Sequence, residues 1–133
     1  MHLIDTSVWI SYLRAEQTSA TQYLSHLLAV NAPYGITALI YQELLQGART
    51  PKDFKQLAVF LGTQYFYSPK DELTSYQAAA KIYYDCRKKG ITIRSTIDCL
   101  IAQIALEYNL VLVHQDHDFK NITQVYPALK LFE

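Results

Sequence analysis

Five carboxylates in this chain stand where a folded domain has little structural need of them. Asp5 closes the short run that begins at His2, and Asp116 and Asp118 follow the unbroken apolar run at residues 110–113, in His114-Gln115-Asp116-His117-Asp118-Phe119. Glu43 lies inside the helical pattern Ala38–Gln46, three and four residues after Ile40 and Leu39. Asp98 opens a helical pattern over residues 96–108 whose polar stripe is Gln103 and Glu107. At 100° per residue it falls about 140° round from Gln103, on the apolar side. Taken singly, Asp5 is a helix cap, Asp98 a first-turn acid favoured by the helix dipole, and Glu43 a surface residue. The dipole accounts for the place of Asp98 along the axis but not for its face. Gathered in one pocket, such groups repel, and burial adds to the cost of each charge. With no lysine or arginine directly beside them in the local sequence, the simplest remedy is a hard divalent cation bound by oxygen, Mg²⁺ or Mn²⁺. Such an ion orients and acidifies a water, polarises a phosphodiester and stabilises the leaving oxygen.

For the acids to meet, the elements around them must share one edge. Residues 2–5 read as a strand, and Thr6 or Ser7 then caps a helix with Val8, Trp9, Tyr12 and Leu13 on one face. A second helix carries Tyr23, Leu24, Leu27 and Leu28 and closes at Asn31 and Pro33, before a short strand at residues 34–36. Thr37 caps Ala38–Gln46, Gly47 ends it, and residues 50–53 start a further helix that runs through Leu61. Residues 64–67 read as a strand, and Ser68, Pro69 and Glu72 as the start of a long helix to Lys89, stopped by Gly90. The 96–108 helix, a central strand at 110–113 and an edge strand at 129–132 complete the series. Strands alternating with helices predict a three-layer α/β/α sandwich with a central, mainly parallel sheet. Ligands of such sheets bind at the carboxyl edge, where Asp5, Asp98 and Asp116 all fall.

Composition narrows the reading further. Half of the 133 residues are hydrophobic and 18% are charged, which excludes a disordered chain and predicts one domain over residues 1–133. With four glycines there is neither GxGxxG nor GxxxxGK[ST], so no nucleotide fingerprint is present. Cys86 and Cys99 form no CxxC motif and read as reduced, buried thiols. No apolar stretch approaches the roughly 18 residues of a membrane span, and the start lacks a basic segment followed by a hydrophobic one, so a cytoplasmic protein is expected.

The strand-ending Asp5-Thr6-Ser7, the helical Glu43, Asp98 in Ile-Asp-x-Leu-Ile-Ala, and the late Asp116-x-Asp118-Phe119 together resemble the PIN domain, and most of all the VapC-type toxin ribonucleases. The resemblance spans essentially the whole chain in order. It implies a metal-dependent endoribonuclease with Asp5, Glu43, Asp98 and Asp116 as the acidic site and metal ligands. Thr6 would support the first acid, and Asp118 would be a supporting acid. It further implies a small VapB-like antitoxin that blocks the site, and a homodimer. Gln115 replaces the asparagine often found before the late acid.

Net charge is zero, but setting aside the five acids leaves seven acids against twelve bases. Arg87, Lys88, Lys89 and Arg94 crowd just before Asp98 and could hold RNA phosphates; a solvated helix end is the plainer reading of each. Tyr83 and Tyr84 beside them could stack bases, although helical spacing explains most of the eleven tyrosines as packing. Two rival chemistries are weaker. A zinc or iron phosphohydrolase would need histidines beyond His114 and His117, and only His2 and His26 remain. A non-enzymatic receiver-like module needs an acid after the third strand, where this chain has Ser68-Pro69. A degenerate PIN-like interaction module is the remaining alternative, against which the retention of all four acids weighs.

Overall fold

The computed structural model describes residues 1–132. Five short strands, β1 (His2–Ile4), β2 (Tyr34–Ile36), β3 (Tyr65–Phe66), β4 (Val111–Val113) and β5 (Lys130–Leu131), make one sheet in the order β3-β2-β1-β4-β5. Every neighbouring pair is parallel. Leu3, Ile4, Ile36, Leu112 and Val113 are fully buried, as expected of strands covered by helices on both faces. Between the strands lie α1 (Thr6–Leu13), α2 (Ser19–Ala29), α3 (Ala38–Gln46), α4 (Pro51–Gly62), α5 (Glu72–Lys88), α6 (Thr96–Glu107) and α7 (His117–Thr123). Among the described residues no helix is long and apolar enough to cross a membrane.

Strand order explains the layers. From β1 the chain steps outward through β2 to β3, then returns to the other side of β1 to lay down β4 and β5. Right-handed crossovers in opposite directions place their helices on opposite faces. Accordingly α1 packs with α2 and α3, and α3 with α4, while α5 packs with α6 and both meet α7. The reversal falls between β1 and β4, paired as Leu3 with Leu112 and Ile4 with Val113. Parallel sheets open a crevice at the carboxyl ends of the strands at such a reversal.

Local sequence explains most boundaries, and corrects some expectations. Asp5, not Thr6 or Ser7, caps α1. Thr18 and Thr21 form a reciprocal capping box at the start of α2. The long helix α5 begins at Glu72 under an Asp71 cap, so Ser68 and Pro69 belong to the approach and not to the helix. Gly90 takes the left-handed conformation after its end, at φ 77°. Cys86 and Cys99 are free and buried, as expected. Helix α7 lies in what reads from sequence as loop. Its seven residues carry only Phe119 and Ile122 as an apolar pair, both fully buried, too short a pattern to separate from a turn.

At β2 the sheet tolerates no side chain beyond hydrogen. A Cβ on Gly35 would lie 2.7 Å from the Tyr65 carbonyl oxygen and 2.7 Å from Tyr67 Cε2. Gly35→Ala is therefore expected to cost about 1–3 kcal/mol through overpacking, read as a lower urea midpoint. An unchanged midpoint would mean that β2 and β3 separate without penalty.

Candidate active site

Asp5 sits at the end of β1, 5% exposed. Its backbone N–H donates to the Val113 carbonyl at 2.9 Å, tying it to the end of β4. Its Oδ2 accepts from the Ser7 backbone N–H at 3.1 Å and from the Ser7 hydroxyl at 2.6 Å. The carboxylate thus caps a helix and faces the crevice at once. Burial pushes its pKa up to about 6, with the Ser7 bonds opposing the rise and Glu43 adding to it. Glu43 comes from α3, which starts at the same edge because its cap, Thr37, directly follows β2. The half-buried glutamate reaches back to accept from the Thr6 hydroxyl at 2.7 Å. The hydroxyl of Thr6 therefore supports Glu43, and Ser7 takes the supporting role expected of Thr6 at the first acid.

Asp98, half-buried in the first turn of α6, is the electrostatic centre. Its pKa is pushed up to about 7, first by burial and then by the charges of Asp5, Asp116, Asp118 and Glu43. The other four acids singled out by the sequence thus all act on Asp98. The tightest group is narrower. Asp98, Asp116 and Asp118 each offer a carboxylate oxygen within 4.8 Å of the other two and could hold a metal ion. Asp118, expected to support, belongs to this trio, whereas Asp5 and Glu43 stand outside it. Helix α7 is the reason: Asp116 caps it, accepting from the Asp118 N–H at 3.0 Å, so the two acids are fixed together. The trio contains no histidine, and His114 turns its Nδ1 to the Asp116 carbonyl at 3.0 Å.

Arg94 corrects the inference that these acids meet without a neighbouring cation. Its Nη2 lies 3.1 Å from Asp116 Oδ1 and its Nε 3.4 Å from Asp118 Oδ2. The pairing joins residues more than twenty positions apart, invisible to local sequence. Arg87 and Lys88 occupy the last turn of α5, and Lys89 is its C-cap. Arg87 lies over the Tyr83 ring at 5.6 Å and Lys88 over Tyr84 at 5.5 Å. Ser7, read from sequence only as a possible helix cap and part of the Asp5-Thr6-Ser7 motif, and Gln115 hold the loop: the Ser7 hydroxyl also accepts from the Gln115 N–H, and the Gln115 amide donates to Ser11. The small Asp-Thr-Ser step was the available signal for Ser7.

The raised acids make stability fall as pH rises. Unfolded aspartate loses its proton near pH 4, whereas folded Asp98 keeps its proton up to about pH 7. Between those values the native state binds more protons, and each pH step upward favours unfolding. In metal-free buffer the urea midpoint is expected to drop between pH 4.5 and pH 7.5, and Asp98→Asn to flatten the drop. A parent midpoint that climbs through this window would contradict the clustering of charge.

The sequence matches the family model for the PIN domain over residues 2–125. It is 34% identical over 126 residues to VapC ribonuclease Mb1587 of Mycobacterium bovis, covering 94% of this chain and 93% of that protein. Ribonuclease VapC11 of Mycobacterium tuberculosis matches with the same identity and coverage. Among solved structures, VapBC2 from Rickettsia felis, bound to a DNA fragment from their promoter, shares the fold. Its TM-score is 0.73 at 22% identity, over 98% of this chain and 96% of that one. The strand reversal, the acids gathered on it and the extent of these matches lead to one conclusion: the chain belongs to the PIN domain family and is of the VapC type.

Proposed function

We propose that this chain is a divalent-metal-dependent endoribonuclease, the toxin of a toxin–antitoxin pair, acting as one nuclease domain over residues 1–133 in the cytoplasm. The observation that carries the proposal is the oxygen-only trio Asp98, Asp116 and Asp118 within 4.8 Å, with Asp98 pushed up to about 7 by burial and then by the surrounding acids. The ribonuclease names of relatives at 34% identity support the RNA substrate. The donor set fits a hard cation. Carboxylate oxygens suit Mg²⁺ or Mn²⁺, and two positive charges would relieve the repulsion that adds to the rise at Asp98. Asp98, Asp116 and Asp118 would hold the ion, with Asp5 and Glu43 as further acids of the pocket. Bound there, the ion supplies Lewis acidity to a phosphodiester oxygen and acidifies a water.

The chain's own groups do the rest. Ser7 fixes one oxygen of Asp5 and Thr6 one of Glu43, so neither acid has to be ordered when substrate arrives. Arg87, Lys88 and Lys89 at the end of α5 would bind phosphates without reading bases. A groove of about 770 Å³ between α1, α3 and α4 is lined by Ile10, Leu13, Leu57 and Phe60, with Glu43 in its wall. We assign it to a small VapB-like antitoxin, whose apolar segment would cover the exposed Leu13 and Phe60 and whose basic side chain would meet the acids. A second copy of the chain completes the reading as a homodimer.

Purified protein is expected to cleave RNA with Mg²⁺ or Mn²⁺ and to stop on chelation. Asp98→Asn should lose at least about a hundredfold in rate, given that even outer-shell changes at metal sites cost 10- to 100-fold. A folded Asp98→Asn protein, checked by circular dichroism, that cuts at the parent rate would defeat the assignment. Each single-strand phosphate contact contributes about 0.7 to the slope of log affinity against log salt. Replacing Lys88 and Lys89 by Gln should flatten that slope by up to about 1.4 and weaken different RNA sequences alike. An unaltered slope would leave these lysines as a solvated helix end.

A further inference from the structure

We propose that Arg94 is an internal cation that holds Asp116 and Asp118 until a divalent metal takes their oxygens, and that the released guanidinium then binds an RNA phosphate. The inference rests on the metal-nuclease reading above. One guanidinium spans two of the three carboxylates of the tight trio, at 3.1 Å to Asp116 Oδ1 and 3.4 Å to Asp118 Oδ2. A metal ion on the same carboxylates would compete for their charge and repel the guanidinium at close range.

The carboxylates do not need this side chain to stay in place. The Arg94 backbone N–H donates to Asp118 Oδ2 at 3.1 Å, and the Asp118 N–H to Asp116 Oδ1 at 3.0 Å. Asp118 is buried at 4% exposure and Asp116 caps α7. The guanidinium therefore brings charge to the cluster and leaves its shape to the backbone. Its side chain is 73% exposed, so water solvates its pairs and they exchange readily. By contrast, Lys81 pairs with Asp85 along one face of α5 and touches no member of the trio. The planar fork of arginine suits carboxylate and phosphate oxygens equally, which a lysine point charge does not. Position completes the case: Arg94 lies between the basic end of α5 and the start of α6, where the proposed phosphate path reaches the acids.

Titration calorimetry of Mn²⁺ into the parent, Arg94→Ala and Arg94→Lys tests the competition, with circular dichroism confirming that each folds. Arg94→Ala should bind Mn²⁺ about fivefold more tightly, an effect of the size expected from losing an exposed ion pair. Arg94→Lys, which keeps charge but not the fork, should fall between the two. In RNA cleavage at saturating Mn²⁺, Arg94→Ala should raise KM more than it lowers kcat, with Arg94→Lys partly restoring KM. Arg87→Gln removes a positive charge at the end of α5 that forms no ion pair with the trio, and its Mn²⁺ affinity should match the parent. Equal or weaker Mn²⁺ binding by Arg94→Ala overturns the proposal, as does equal tightening by Arg87→Gln, which would signal a general charge effect. A parent that binds no Mn²⁺ overturns the metal reading itself, whereas a binding parent with an indifferent Arg94→Ala overturns only the role of Arg94.

Discussion

Mutual repulsion among carboxylates at the β1–β4 reversal is the constraint around which the rest of this molecule is arranged. Apart from the α1 cap that Asp5 provides, burying Asp5 and half-burying Asp98 and Glu43 in one crevice costs the fold stability. The surrounding structure offsets that cost with specific donors: Ser7 on Asp5, Thr6 on Glu43, backbone amides on Asp116 and Asp118. At Asp5 the Ser7 donors favour the charged form and oppose the rise that burial causes. What remains uncompensated concentrates on Asp98, which faces all the others and has the highest of the raised aspartate pKa values.

The architecture supplies this arrangement at little extra expense. Parallel strands deliver their following residues to one edge, and helices entering or leaving that edge bring their first turns to the same place. Asp5, Thr37, Ser95 and Asp116 are each the cap of a helix starting there. Positioning and capping are therefore one operation. The helix starts gather around the pocket because the sheet is parallel, and the acids come with them.

Much of this was legible in the chain itself. An apolar run ending in Asp5, an acid on the wrong face of the 96–108 pattern and a glutamate one helical turn after Leu39 and Ile40 and just before Leu44 and Leu45 each broke a local rule of burial, and such breaks mark functional positions. Order of strands and helices then placed them on one edge. What stayed hidden depended on distance in space. Arg94 meets Asp116 and Asp118 across more than twenty residues, and no spacing argument reaches that far. Whether Thr6 or Ser7 turned toward the first acid depended on which way the first turn of α1 faced α3. Helix α7 was lost because two apolar residues cannot define a period, although its burial of Phe119 and Ile122 fixes the mutual placement of Asp116 and Asp118.

The outermost strands, Tyr65–Phe66 and Lys130–Leu131, are only two residues long. Open backbone donors and acceptors at a sheet margin invite another chain to add a strand, and brevity is one of the ways natural proteins refuse that invitation. Two-residue margins offer too little ladder for a continuous intermolecular sheet. Assembly is then left to side chains on the helical layers, where specificity can be written residue by residue, and the folded chain is protected from edge-to-edge polymerisation.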